Sequence, residues 1–113
     1  MKYFLLNKGA DAVYEAIAYL RIAGALEELT MSRGLRQAAR DHAYDIGPKN
    51  EVSHIGTDHS TMCDRIERYG VWNNAVAENI SLSEITGKDI ILQFIIDDGN
   101  PKRSHRKNIF SQE

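Results

Sequence analysis

The whole chain contains one cysteine, Cys63, so no internal disulfide can form and no Cys-x-x-Cys pair exists to hold a structural zinc. Proline is nearly as scarce: Pro48 and Pro101 both fall in loop-like contexts and leave the intervening stretches open to helix. Long apolar runs are also missing. The longest, residues 90–96, is far too short to span a bilayer. The opening Met1-Lys2-Tyr3-Phe4-Leu5-Leu6 begins like a secretory leader, but its apolar run stops at Asn7-Lys8, short of the ~7–15 residues such a core needs. Neither sign of charge dominates. Fourteen Lys and Arg against sixteen Asp and Glu leave a net charge of −2, which supplies no overall pull toward nucleic acid or anionic membrane. There is no internal repeat and no low-complexity segment.

What is present is the composition of one small soluble domain. The 113 residues are 42% hydrophobic and 27% charged, ordinary values for a globular chain and far from those of disorder. A chain of this size buries roughly 60–70% of its unfolded surface, so its core is modest. Residues 1–10 read as an N-terminal segment and residues 11–113 as a single domain.

Hydrophobic periodicity predicts helices. Over residues 11–23, Val13, Ile17 and Leu20 share one face, with Asp11 as N-cap and Gly24 as stop. Leu35, Ala38, Ala39, His42, Ala43 and Ile46 form a second apolar stripe, with Arg36, Arg40, Asp41 and Asp45 opposite, ended by Gly47-Pro48. Residues 49–59 read as a loop with a short extended piece near Val52. A third helix starts at Ser60 as N-cap and turns Met62, Ile66 and Tyr69 inward before Gly70. Residues 71–83 have no helical period and read as structured loop. The run 90–96 suits a buried strand or a buried helix equally on pattern alone. Thr86 with Asp89 three residues on resembles a capping box, which favours a buried helix ending at Gly99.

Four histidines carry the candidate chemistry. His42 lies on the apolar stripe and reads as a core or boundary residue, and His59 as an exposed loop residue. His54 and His105 sit in loops, where side chains can converge on a cleft. Cys63 invites a nucleophile reading with His54 or His59, but a small buried thiol is the plainer account. The basic run 102–107 suits a phosphate patch, although a solvated loop fits the net negative charge better. Asn79-Ile80-Ser81 fits the glycosylation sequon formally, within what reads as a packed loop.

Five ordered segments add a resemblance. They are Ser53-His54-Ile55-Gly56-Thr57-Asp58, Asp64-Arg65-Ile66-Glu67-Arg68-Tyr69-Gly70, Ala77-Glu78-Asn79-Ile80, Phe94-Ile95-Ile96-Asp97-Asp98-Gly99 and Arg103-Ser104-His105-Arg106-Lys107-Asn108-Ile109-Phe110. Together, over about residues 11–111, the chain resembles the CAP superfamily (cysteine-rich secretory, antigen 5 and pathogenesis-related 1 proteins, or SCP domains), in its disulfide-free microbial and protist form. The resemblance implies an α+β fold, an α-β-α sandwich with an antiparallel sheet between helical layers. It also implies a cleft lined by two histidines, which fall on His54 and His105, and two acids, which fall on Glu78 and Asp97, or on Asp98 if the register slips by one.

Four departures stand out. Ala77, Ser104 and His59 occupy positions where the family usually has glycine, and Asn100 stands where it often has valine. Family members also continue beyond the Asn-Ile-Phe segment into sheet strands. The chain ends at Glu113, so the expectation is a C-terminally truncated, helix-rich domain whose uncovered apolar surface favours self-association.

Two functional classes follow from the resemblance. The first is a binding protein whose cleft holds a divalent cation such as zinc, with a lipid, sterol or other small apolar ligand nearby, in an extracellular setting. The second is a metal- or histidine-dependent hydrolase or peptidase.

Overall fold

A computed structural model describes residues 9–82 and 86–111. Among these residues the regular elements are α1 (Ala10–Ile22), α2 (Arg33–Ile46), a 3-10 turn (Gly47–Lys49), α3 (Met62–Glu67), α4 (Gly87–Ile96) and α5 (Ser104–Ile109). The helix-rich expectation holds. The sheet layer of a sandwich has no counterpart among the described residues.

The elements group into two compact units. One holds α1, α4 and α5, and the other, from Glu28, carries α2 and α3.

In the α1–α4–α5 unit, α4 packs on both α1 and α5. Its apolar centre is Ala12, Ala16 and Phe94. The close face of α1 is therefore its alanine side, while Ile17 and Leu20 of the expected stripe remain 39% and 43% exposed. Gly9 precedes α1 and supplies no side-chain cap, so Asp11 lies in the first turn instead of capping it. The capping expectation for α4 holds, because the Thr86 hydroxyl accepts from the Asp89 amide at 3.2 Å. Burial of that helix does not hold: Phe94 is buried, but Ile91 is 48% exposed. The helix also stops earlier than Gly99, at Ile96, because Asp97 turns left-handed at φ 50°. The basic run is no solvated loop either. Residues 104–109 form α5, and Arg106 is among the most buried side chains of the chain.

In the other unit α2 packs against α3 and the 3-10 turn. Ser32 caps α2 by accepting from the Leu35 amide, and Ala38, His42 and Ile46 form its buried face. The cap of α3 falls one residue later than Ser60. Thr61 and Asp64 form a reciprocal capping box, which two side chains can satisfy and Ser60 alone cannot. The inward face of α3 is Arg65 and Ile66, whereas Tyr69 is exposed and hydrogen-bonds Asp41 through its hydroxyl.

Candidate functional site

Both candidate histidines hydrogen-bond a carboxylate through Nδ1, each within its own unit. In the α2–α3 unit, His54 Nδ1 lies 2.9 Å from Glu78 Oε1. The loop carrying His54 is tied down from α2. His42 Nε2 donates to the Ser53 carbonyl at 2.6 Å, and Asp45 accepts from both the amide and the hydroxyl of Thr57. The loop then closes on itself: the Gly56 amide donates to Ser60 O, the His59 amide to Gly56 O, and the Ser60 amide to Asp58. Gly56 leaves room for these contacts: a Cβ would lie 2.7 Å from Ser60 Oγ and 2.8 Å from Asp58 Oδ1, so both side chains would have to shift to admit one. His59 adopts φ 68°, the left-handed region that glycine enters without strain.

Arg65 of α3 binds both members of this pair. Its Nη2 donates to Glu78 Oε1 at 2.9 Å and Oε2 at 2.7 Å. Its Nη1 donates to the carbonyls of His54 and Ser60, each at 3.2 Å. Arg65 is 2% exposed. Burial pushes the Glu78 carboxyl up, but the hydrogen bonds from His54 and Arg65, with the Arg65 charge, bring it net below the ordinary glutamate value. An ionised Glu78 can only accept, so a neutral His54 carries its proton on Nδ1 and its lone pair on Nε2. That ring is 57% exposed.

In the α1–α4–α5 unit, His105 Nδ1 lies 2.8 Å from Asp97 Oδ1. The other oxygen, Oδ2, accepts from the amides of His105 and Arg106 and from the Asn100 side chain. Arg103 precedes α5 at φ 53° and supplies no side-chain cap, so Asp97 caps the helix from across the turn. The His105 ring stacks on Phe94, with centroids 5.2 Å apart.

Two arginines hold this turn closed. Arg103 donates to the Asp97 carbonyl and to Asn100 O. Arg106 donates to the Ile95 and Ile96 carbonyls. Both also reach Glu15 of α1, through Arg103 Nη2 to Oε2 at 2.6 Å and Arg106 Nη1 to Oε1 at 2.7 Å. Those two hydrogen bonds, opposed by burial, keep the Glu15 carboxyl below its ordinary value.

Each sequence-chosen acid therefore meets a sequence-chosen histidine: Glu78 meets His54, and Asp97 meets His105. His42 is buried and bonds a carbonyl instead. His59 is exposed, and half-buried Cys63 makes no hydrogen bond to a histidine among the described residues. Ala77 and Ser104 avoid positive φ, so of the three missing glycines only His59 is forced left-handed.

From the sequence alone Arg65 and Glu15 carry no site role, and Arg103 and Arg106 stand only as members of the basic run 102–107. For Arg65 a signal existed: it lies three residues after Met62 and beside Ile66, on the face that α3 must bury. Among the described residues no group of three or more His, Cys, Asp or Glu is arranged to hold a metal ion. Beside the Arg65–Glu78 contact is a cavity of about 230 Å³, walled by Leu35, Ala38, Met62, Ile66 and Ala77.

A comparison with protein families matches the model of CAP, the cysteine-rich secretory protein family, over residues 14–113. No curated protein and no solved structure matches the chain. Among the described residues no helix is long and apolar enough to cross a membrane. With all but its first thirteen residues matched, the chain belongs to the CAP family.

Proposed function

We propose that this CAP-family chain is a binding protein in which His54 and His105 supply imidazole ligands to a divalent cation such as zinc, while Glu78 and Asp97 orient the rings. The observation that carries this reading is the shared contact: each Nδ1 meets a carboxylate oxygen, at 2.9 Å and 2.8 Å. Metal-ligating histidines are commonly oriented in this way, with one ring nitrogen on a carboxylate and the other on the ion. The donor chemistry fits zinc-class ions, for which neutral imidazole is a preferred ligand. Two protein ligands completed by water make a weak site, since firm zinc sites have three or four. A bound ion there would act as a Lewis acid toward an oxygen ligand.

The cavity of about 230 Å³ beside Glu78, apolar along Leu35, Ala38, Met62 and Ile66, has room for part of a small apolar or lipid ligand, such as one end of an acyl chain. We place the protein outside the cell, in keeping with the family's name.

Calorimetric titration with zinc tests the proposal. The wild-type chain takes up one ion, and His54→Ala and His105→Ala each abolish that uptake. Equal uptake by wild type and the double variant would overturn it. Metal-stimulated ester or peptide turnover that is lost in His105→Ala would move the assignment to a hydrolase.

A further inference from the structure

We propose that a second cavity, walled by Asp41, His42, Asp45, Thr57, Asp58 and Ser60, binds a small N–H-bearing cation: ammonium, or the primary ammonium group of a small amine. It lies within the α2–α3 unit and uses neither His54 nor Glu78 as a ligand.

The cavity measures about 130 Å³, well above the ~15 Å³ that a single water needs. Exposure grades from its floor to its mouth. His42 and Ser60 are 3% and 8% exposed, whereas the side chains of Asp41 and Asp58 are 37% and 56% exposed. His42 is the wall residue that lacks a partner. Its Nε2 is spent on the Ser53 carbonyl, which can only accept, so the neutral ring keeps its proton there and a lone pair on Nδ1. Nδ1 is buried and has no hydrogen-bond partner among the described residues. Buried polar atoms are rarely left so, and Nδ1 is the ring nitrogen that remains for a donor in the cavity.

The rest of the wall is rich in acceptors as well. Around Gly56 three side-chain oxygens converge: the point where a Cβ would sit lies 2.7 Å from Ser60 Oγ, 2.8 Å from Asp58 Oδ1 and 3.2 Å from Asp45 Oδ2. Hydrogen bonds from Thr57 hold the Asp45 carboxyl below its ordinary value, and those from Ser60, with Arg68, hold Asp58 well below its own. Both are therefore anionic at neutral pH. Two guanidinium groups also border the cavity, and each is engaged: Arg65 with Glu78 and two carbonyls, Arg68 with Asp58. Three carboxylates and an unmet imidazole nitrogen thus face the cavity against donors already committed. Such a wall selects a ligand that donates hydrogen bonds and carries positive charge. A metal ion fits less well, because among the described residues no three His, Cys, Asp or Glu groups are arranged to hold one. An ammonium group meets its acceptors one N–H at a time.

Nitrogen and amide NMR of the metal-free full chain at neutral pH tests this with three chloride salts at equal ionic strength. Methylammonium and ammonium are the probes, and tetramethylammonium, which has the charge but no N–H, is the control. The probes should shift His42 Nδ1 and the Thr57 and Ser60 amides saturably, while the control leaves them in place. Tighter binding of methylammonium assigns the site to an amine, and tighter binding of ammonium to the free ion. Asp58→Asn keeps an acceptor oxygen for Ser60 but removes the charge, and should weaken binding on the order of tenfold or more. Should that variant fail to fold, Asp41→Asn at the mouth carries the same expectation. Equal shifts with all three salts, no saturable shift at His42 with either probe, or a folded variant that binds as tightly as wild type would overturn the proposal.

Discussion

The two histidine–carboxylate pairs reach similar contacts by different means. At His54, Glu78 is held by a side chain: the buried Arg65 guanidinium, thirteen residues before it, covers both oxygens. At His105, Asp97 is held largely by main chain, through the amides of His105 and Arg106 at the start of α5. A guanidinium can be removed by one substitution, whereas main-chain amides cannot. The first pair is therefore vulnerable at a distant residue, and the second chiefly at the acid itself.

The largest expected effect tests that vulnerability. Arg65→Met removes a cation that is 3% exposed from a carboxylate that is 16% exposed. It also leaves the His54 and Ser60 carbonyls without their donor, so chemical denaturation should show a loss of about 3 kcal/mol or more. The parallel change Arg106→Met should cost less, because its carboxylate partner Glu15 is 47% exposed and can return to water. Equal losses in the two variants would erase the contrast.

Next in size is Asp97→Ala, which strips two amides and the Asn100 side chain of one acceptor oxygen. A loss of about 2 kcal/mol is expected. Hydrogen exchange should quicken at His105 and Arg106 but not at residues 53–60, where an equal change would show that the two pairs are not separately built.

The pH response sharpens the comparison further. The Glu78 carboxyl is held below its ordinary value of 4.5, so as pH falls the unfolded chain takes up the proton first. The stability it contributes is complete above that ordinary value and is lost as pH drops through the lower folded-state value. Denaturation midpoints should therefore fall in acid below about pH 4.5, and Glu78→Gln should flatten that slope. Glu15 is shifted in the same direction but lies largely in solvent, so Glu15→Gln should flatten it less.

Two small effects complete the series. Thr61→Ala breaks the capping box of α3 and should cost about 1 kcal/mol. His59→Gly relieves a left-handed residue at φ 68° in the His54 loop. Against the added unfolded-state entropy, it should gain no more than about 1 kcal/mol, read from the same denaturation curves.

Much of the helical layout was legible in the sequence. The stripe from Leu35 to Ile46 and the Thr86–Asp89 start of α4 act through local periodicity and capping, which a linear chain displays. The two acid–histidine pairings were legible only through the order of motifs, because their partners lie eight and twenty-four residues apart. Burial was the weak point. Leu20, Ile91 and Tyr69 have the side chains of core residues yet stay exposed, while Arg65 and Arg106 are buried. Apolarity alone could not show this, since each buried guanidinium is satisfied by carbonyls and a carboxylate distant in sequence. The basic run 102–107 misled for the same reason: its arginines serve the turn at Asp97 rather than the solvent.

Under the proposed function His54 and His105, alone of the four histidines, ligate the ion, each with Nδ1 on its carboxylate. Nitrogen NMR of the side chains during a zinc titration tests it most directly. The Nε2 signals of His54 and His105 should shift together and saturate at one ion per chain, while those of His42 and His59 stay in place. Shifts confined to His59 or His42, or no shift at any histidine at saturating zinc, would contradict it.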